Sequence, residues 1–137
     1  MMNDNQITAV TELDQEKYLT KVYAGGHFIY SDEPADLGGT DEGMTPAALL
    51  LASLGSCTAI TIRMYADRKE MPLEAIKIHL SIDHKEEELN KDTNISRQIE
   101  FIGDLTAAER DRLLEIADKC PIHKILSNPI SIKSNLL

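Results

Sequence analysis

The chain has 137 residues, which is the length of one domain with a single hydrophobic core, so we expect one domain spanning residues 1–137. Its 42% hydrophobic and 27% charged residues are typical of a soluble globular protein, and with no Trp and only 4% aromatic residues the core must be aliphatic. The formal net charge of −9 excludes nucleic acid and anionic membrane surfaces as favourable partners, because both repel a negative protein surface.

The N-terminal third of the chain predicts a small antiparallel sheet followed by a loop. Residues 1–16 are mostly polar, which favours a frayed start or a short edge strand, and they lack the basic-then-apolar pattern of a secretory signal. We therefore expect a cytoplasmic protein. Two strand-forming runs, residues 17–24 and 27–30, flank Gly25-Gly26 and predict a hairpin. Residues 31–44 are rich in glycine and carboxylates and predict a loop.

A long helix is predicted from Pro46 to Arg68 or Lys69, because Thr45 suits the N-cap and proline suits the first helical position. Its first two-thirds are apolar nearly all round, which is typical of a helix buried on several sides. The apolar run is shorter than the ~20 residues that a membrane span needs, so we favour a core helix and expect no membrane partner. One small domain can hardly enclose such a helix, and we therefore expect a homodimer.

Two strands are predicted after this helix. Residues 75–84 alternate strictly between apolar and polar side chains, which is typical of a half-buried strand. Residues 85–92 predict a charged connection. Arg97 interrupts the apolar face of the second strand, and we interpret it as an edge or snorkelling residue. The apolar face of that strand comprises Ile95, Ile99 and Phe101.

The C-terminal part predicts two helices and a last strand. Thr106 and Glu109 have the spacing of a capping box, which predicts a helix that reaches about Lys119. Pro121 starts a second, short helix that ends near residue 127, and residues 130–132 predict a final strand. Strands that follow one another in pairs, with helices between the pairs, indicate an α+β domain rather than parallel βαβ units.

Two cysteines lie at helical locations. Cys57 is inside the apolar part of the long helix, where a small buried hydrophobe is one interpretation and a redox thiol the other. Cys120 precedes Pro121 at a helix start, where free N–H groups can lower a thiol pKa, although an inert buried cysteine fits equally well. In an intracellular chain two cysteines are more often reduced or redox-active than a structural disulfide.

Other chemistries have weaker support. Cys120 and His123 have a spacing compatible with a metal pair, but zinc requires three or four ligands and the remaining histidines are scattered. They are His27, His79 and His84. There is no P-loop and no nucleophile-elbow sequence. We therefore expect neither a metal nor a cofactor.

Several segments resemble the OsmC/Ohr superfamily of osmotically inducible and organic hydroperoxide resistance proteins. The resemblance covers about residues 20–137, and the segments that contain the two cysteines are its most specific part. The matching segments are Gly25-Gly26-His27, Asp32-Glu33-Pro34, Leu37-Gly38-Gly39-Thr40-Asp41, residues 45–58, Arg63-Met64-Tyr65-Ala66 and residues 117–124.

The resemblance implies an intertwined α+β homodimer with antiparallel sheets wrapped around long central helices. It also implies an oxidative-stress enzyme, a thiol-dependent peroxidase that reduces organic hydroperoxides. Cys57 would be the peroxidatic cysteine and Cys120 the resolving cysteine, with an external dithiol, of the lipoyl type or another, as reductant. The steps from thiolate through sulfenic acid to disulfide follow one another chemically.

The sequence departs from the peroxidases of this family at two positions. They have an arginine in the N-terminal hairpin and a glutamate just after the helix-start proline. Here the first arginine is Arg63, and Ala47 and Ala48 follow Pro46. Arg97 and the hairpin residues Lys21 and His27 are the cations that could substitute. The alternative to the peroxidase is therefore a non-catalytic dimeric small-ligand-binding or redox-sensing module.

Overall fold

The computed structural model describes residues 6–83 and 93–137 and confirms the α+β class with antiparallel sheets. The chain divides into two compact units, residues 1–50 and 51–137. The elements are β1 (Val10–Leu13), β2 (Thr20–Ala24), β3 (His27–Ser31), α1 (Pro46–Arg68), β4 (Leu73–Ile82), β5 (Ile95–Gly103), α2 (Ala107–Ala117) and α3 (Pro121–Leu126).

The first unit contains a three-stranded antiparallel sheet in the order β1-β2-β3. Gly25 and Gly26 have φ of 57° and 79°, and together they form a two-residue turn between β2 and β3. Such a turn needs positive φ at both positions, which glycine adopts without steric cost. The predicted hairpin is therefore confirmed, and the edge-strand alternative for residues 1–16 is confirmed by β1.

The loop after β3 is organised by a buried carboxylate. Asp32, 2% exposed, accepts hydrogen bonds from the backbone N–H groups of Glu33 (2.8 Å), Thr40 (3.3 Å) and Glu42 (3.1 Å), and from the Thr40 hydroxyl (2.8 Å). Burial alone would raise the pKa of Asp32, but these hydrogen bonds together hold it below the ordinary value of 3.8. A 3-10 turn at Ala35–Leu37 lies within the segment predicted as a loop.

Helix α1 begins as predicted, because the Thr45 hydroxyl accepts a hydrogen bond from the backbone N–H of Ala48 at 3.2 Å. By length and composition the helix could also cross a membrane, with a mean hydropathy of 1.5, but central helices of soluble domains have the same composition. Near its C-terminal end, the Arg63 guanidinium donates to the backbone carbonyls of Leu73 (2.7 Å) and Glu74 (3.2 Å). This contact anchors the start of β4 on the helix.

The second unit has its core between α1, β4 and α2. Strands β4 and β5 pair antiparallel, with Ile78 opposite Ile99, and α2 begins with the predicted capping box of Thr106 and Glu109. Every fourth residue of α1 from Leu54 is buried. The core cluster consists of Ile62, Ala66, Leu73, Leu113, Ile116 and Ala117. It packs α2 against the C-terminal half of α1.

The strand predicted at residues 130–132 was wrong. These residues follow Pro129 and form no secondary structure, and Ile130 and Ile132 are 57% and 85% exposed. Alternation of apolar residues is insufficient for a strand when no neighbouring strand accepts its backbone hydrogen bonds. The predicted strand over residues 75–84 is confirmed as β4, with His84 outside the described residues. The charged connection at residues 85–92 also lies outside them.

Candidate active site

The two cysteines come from different elements of the second unit. Cys57 lies at the start of the fourth turn of α1, beside the buried residues Leu54 and Thr58, and is half-buried. Cys120 is the N-cap of α3, in the short turn between α2 and α3, and its exposure is 0%. Both are free thiols. A reagent from solvent therefore reaches Cys57 more readily than Cys120.

The two thiols interact with each other, and their pKa values shift in opposite directions. The pKa of Cys57 is raised, first by burial and then by its hydrogen bond with Cys120, against donation from the Ile122 N–H and the Thr61 hydroxyl. Burial also acts to raise the pKa of Cys120, but hydrogen bonds outweigh it and the pKa is lowered. When the pair loses a proton, the negative charge is therefore favoured on Cys120 rather than on Cys57. The groups that lower the pKa of Cys120 are the Cys57 thiol, the His123 and Ile122 N–H groups and the Thr58 hydroxyl, although the Cys120 side chain does not cap α3 with a hydrogen bond.

Arg97 connects the elements that hold the thiols. Its Nη1 donates to Thr58 Oγ1 at 2.9 Å and to the Ala117 carbonyl at 3.4 Å. Its Nη2 donates to Asp118 Oδ1 at 2.9 Å and to His123 Nδ1 at 3.3 Å. One guanidinium from β5 thus links α1 with the end of α2 and the start of α3.

The interpretation of Arg97 as a snorkelling residue was wrong, although β5 is an edge strand of its two-stranded sheet. Its side chain is only 12% exposed and has acceptors on three other elements. The sequence contained a signal, since Arg97 occupies an apolar-face position of β5 between Ile95 and Ile99. A charge at such a position requires partners, because burying it unpaired is costly.

Thr58 was also missed as a site residue. It is fully buried, and its hydroxyl donates to the Leu54 carbonyl at 2.6 Å while accepting from Arg97. A hydroxyl has a single hydrogen, so the Leu54 carbonyl and the Cys120 sulfur compete for it. Since β-branched residues are common in apolar helices, nothing in the local sequence distinguishes this threonine.

The three histidines within the described residues do not lie together at the thiols. His79 pairs with Glu100 at 2.8 Å on the exposed face of β4 and β5, and His27 lies in the β2–β3 hairpin. His123 is beside Asp118, with Nε2 3.9 Å from Oδ1. Within residues 6–83 and 93–137, no cluster of three or more His, Cys, Asp or Glu residues could hold a metal ion. Cys120 and His123 thus have no third ligand there.

Two cavities lie near the site. The larger, of about 560 Å³, is lined by Arg97, Asp118 and His123 together with apolar residues, and neither cysteine lines it. The smaller, of about 330 Å³, is lined by Thr61, whose hydroxyl donates to Cys57. Its other lining residues are Met64, Tyr65, Arg68, Arg112, Ile116 and Lys119. The smaller cavity therefore approaches the more exposed thiol.

Tyr65 in this smaller cavity is surrounded by cations. Arg112 Nε donates to its hydroxyl at 3.0 Å, and the Arg68, Lys69 and Arg112 side chains lie 5.4, 5.9 and 5.3 Å from the ring centroid. The hydrogen bond from Arg112, aided by the neighbouring positive charges, lowers the pKa of Tyr65. This contact joins α1 to α2.

The departures from the family pattern are visible at the site. Ala47 and Ala48 occupy the first turn of α1, which therefore has no acidic side chain. Arg63, the first arginine of the sequence, donates to backbone carbonyls at the start of β4. Among the described residues of the second unit, Arg97 is the guanidinium with hydrogen bonds to the residues that contact Cys120.

The chain belongs to the OsmC family, because the family model for OsmC-like proteins matches residues 39–135. A comparison with functionally curated proteins found no significant match. Solved structures of similar fold include an OsmC like protein from Mycoplasma pneumoniae, with 17% identity and a TM-score of 0.77 over 91% of this chain and 89% of that one.

Two other solved structures of similar fold are described as organic hydroperoxide resistance proteins. The one from Legionella pneumophila has 18% identity and a TM-score of 0.65, and the match covers 91% of both chains. The one from Elizabethkingia anophelis has 16% identity and a TM-score of 0.62 over 91% of this chain and 90% of that one. At these identities the likeness shows the fold alone, and it is the family model that confirms the expected OsmC family.

Proposed function

We propose that the protein is a thiol-dependent peroxidase that reduces organic hydroperoxides, with Cys57 as the peroxidatic and Cys120 as the resolving cysteine. The observation that supports this function is the facing pair of thiols, one half-buried and one fully buried, in an OsmC-family fold. Hydroperoxide resistance is also the function named for two structures of similar fold. The chemistry needs no cofactor or metal.

The reaction proceeds in three balanced steps. The Cys57 sulfur attacks the terminal oxygen of the hydroperoxide, so that an S–O bond forms, the O–O bond breaks and an alkoxide leaves to take up a proton. The Cys120 thiolate then attacks the Cys57 sulfenic acid, forming the disulfide and expelling hydroxide, which becomes water. A dithiol reductant finally restores both thiols by exchange and is itself oxidised to a disulfide.

Exposure and charge support different tasks for the two thiols. Cys57 is the attacking group because it is the accessible sulfur, and Thr61 beside it lines the smaller cavity. Because the pair favours the negative charge on Cys120, Cys57 reaches its thiolate form by passing its proton to Cys120. The proton on Cys120 can then be given up to the alkoxide, which leaves Cys120 as the thiolate that the next step requires.

The surroundings of Cys57 favour an organic rather than an inorganic peroxide. Met64 and Ile116 form apolar walls of the cavity that Thr61 shares. An alkyl chain buried against such walls gains about 0.8 kcal/mol per CH₂ group, which hydrogen peroxide cannot gain.

We also propose that residues 1–137 are one domain of a cytoplasmic homodimer. The support is apolar surface that a single chain leaves uncovered: Ile60 and Met64 on α1 are 54% and 66% exposed. Ile60→Asp should give a monomer in size-exclusion chromatography with light scattering, whereas Ile125→Asp, at an equally exposed isoleucine of α3, should not. A monomeric wild type would overturn this part of the proposal.

Steady-state turnover tests the peroxidase. Cumene hydroperoxide would be reduced with dihydrolipoamide by wild type, Cys57→Ser and Cys120→Ser. We expect wild-type turnover, a complete loss in Cys57→Ser, and a single turnover that ends at sulfenic acid in Cys120→Ser. A wild type no faster than Cys57→Ser would exclude the enzyme.

A second candidate function is a non-catalytic dimeric module that binds a small ligand or senses oxidants. It is favoured by the raised pKa of Cys57 and by the absence of an acidic residue in the first turn of α1. Iodoacetamide labelling across pH, resolved by peptide mass spectrometry, separates the functions. Sulfenic acid trapped at Cys120 but never at Cys57 after mild peroxide treatment would favour the sensor.

A further inference from the structure

The Arg97 side chain extends from β5 and forms hydrogen bonds with the helical elements on both sides of the thiol pair. Its acceptors at and beside the turn between α2 and α3 are the Ala117 carbonyl, the Asp118 carboxylate and the His123 ring, which lie within six residues of one another along the chain. Cys120 lies between Asp118 and His123, and the hydrogen bonds of Arg97 at this turn go to its neighbours in the chain. The guanidinium therefore binds residues on both sides of Cys120 in the chain, Asp118 before it and His123 after it.

The fourth contact of Arg97 connects this turn to α1. Donation from Nη1 to Thr58 Oγ1 uses a lone pair of the hydroxyl and leaves its single hydrogen for another acceptor. That acceptor is the Leu54 carbonyl at 2.6 Å, and the hydroxyl also lowers the pKa of the nearby Cys120 thiol. Since a charged donor polarises the hydroxyl, its hydrogen is a stronger donor to a thiolate at Cys120 than an isolated threonine would be.

The hydrogen bond from Arg97 to His123 determines which ring nitrogen of His123 carries the proton. His123 Nδ1 accepts from Nη2, so Nδ1 has a free lone pair and the ring proton is assigned to Nε2, on the side of Asp118. Asp118 also accepts from Nη2. The guanidinium charge is thus compensated by Asp118, and all its contacts on the turn are compatible with a neutral imidazole.

We propose that Arg97 is a positioning residue for the thiol pair, which holds the Cys120 turn and the Thr58 hydroxyl together so that the Cys120 sulfur stays poised against that of Cys57. This inference rests on the proposed peroxidase, in which Cys120 must attack the Cys57 sulfenic acid before a second hydroperoxide does. The hydrogen bonds of Arg97 among the described residues go to Thr58, Ala117, Asp118 and His123, so Arg97 acts on the thiols through these residues.

The test compares Arg97→Met and Arg97→Lys with a matched control, Arg110→Met. Arg110 is also a part-buried arginine that donates to two backbone carbonyls, those of Phe101 (2.7 Å) and Gly103 (3.1 Å), but it does not contact the thiol site. Circular dichroism under reducing conditions establishes that each variant is folded. Lysine keeps the charge but cannot bind four acceptors at once.

Two readouts do not depend on peroxide. The first is the pH dependence of Cys120 alkylation by iodoacetamide, followed by peptide mass spectrometry. The second is the equilibrium constant for closing the Cys57–Cys120 disulfide in a glutathione buffer. In Arg97→Met we expect the alkylation curve of Cys120 to move to higher pH and disulfide closure to weaken by about tenfold, as for the loss of one hydrogen bond to a charged group.

The third readout is the rate of disulfide formation after one equivalent of cumene hydroperoxide. Arg97→Met should slow this step by about tenfold while the preceding oxidation of Cys57 changes less, Arg97→Lys should lie between, and Arg110→Met should match wild type. The inference would be overturned if Arg97→Met had the same pH dependence of Cys120 alkylation and the same equilibrium constant for disulfide closure as the wild type. A wild type that does not react with the hydroperoxide would instead overturn the peroxidase, and the two peroxide-free readouts would still decide the role of Arg97.

Discussion

Replacing Thr58 by valine would remove a buried hydroxyl while nearly preserving the shape of the side chain. In the wild type this hydroxyl donates to the Leu54 carbonyl at 2.6 Å and accepts from Arg97 at 2.9 Å. The Leu54 carbonyl keeps its helical backbone partner in the variant. The main loss is therefore the acceptor for the Arg97 guanidinium, a charged group whose side chain is only 12% exposed.

The expected change in the free energy of unfolding follows from these contacts. A hydrogen bond to a charged group contributes about 1.5–3 kcal/mol, and a neutral one about 1 kcal/mol. The valine methyl group returns up to about 0.8 kcal/mol through apolar burial. We expect Thr58→Val to be about 2 kcal/mol less stable than wild type, which for a chain of this length corresponds to a Tm lower by roughly 6 °C.

The assay is equilibrium urea denaturation with both thiols reduced and at equal protein concentration. Thr58→Ser is the control, because it keeps the hydroxyl and should cost only about 1 kcal/mol for the lost methyl group. The alkylation curve of Cys120 should move to higher pH in Thr58→Val but not in Thr58→Ser, since the Thr58 hydroxyl is one of the groups that lower the pKa of Cys120. A valine variant as stable as wild type, with an unchanged curve, would refute the reasoning.

Three further predictions concern stability. Leu113→Ala should destabilise the fold by about 2–5 kcal/mol in urea denaturation, because Leu113 is fully buried in the core, and a loss below about 1 kcal/mol would contradict that packing. The pKa of Asp32 is lowered in the fold, so its contribution is present above the ordinary value of 3.8 and is lost as pH falls below it. Asp32→Asn should therefore be less stable than wild type at pH 7, and a difference that fails to narrow toward pH 3 would count against the carboxylate's role. Gly55→Ala should change stability by less than about 1 kcal/mol, because the gain in helix propensity is offset by a Cβ contact of 2.8 Å with Leu80 Cδ1, and a loss above about 2 kcal/mol would show that the Leu80 side chain cannot move.

Local features of the fold were predictable because their partners are close in sequence. The capping box of Thr106 and Glu109 involves residues three apart, and the Gly25-Gly26 turn depends on two adjacent residues. The strand predicted at residues 130–132 was wrong because a strand also requires a partner strand, which no local pattern specifies.

The site was predictable only in part for the same reason. The resemblance singled out both cysteines, and the structure places them side by side. The contact between Arg97 and Thr58 joins residues 39 apart in sequence, so it depends on how β5 packs on α1. Arg97 could still have been suspected from its position, since an arginine on an otherwise apolar strand face needs acceptors.

Tyr65, which has three cationic side chains around its ring, is an intrinsic spectroscopic probe of the packing of α2 against α1. The chain has four tyrosines and no tryptophan, so the near-ultraviolet absorption of its aromatic residues is not masked by indole. Since Arg112 of α2 lowers the pKa of Tyr65 on α1, this phenol ionises below the pH at which a tyrosine ordinarily does. Any event at the neighbouring thiols that moved α2 away from α1 would return the phenol to ordinary behaviour, and a difference spectrum would record it without a label.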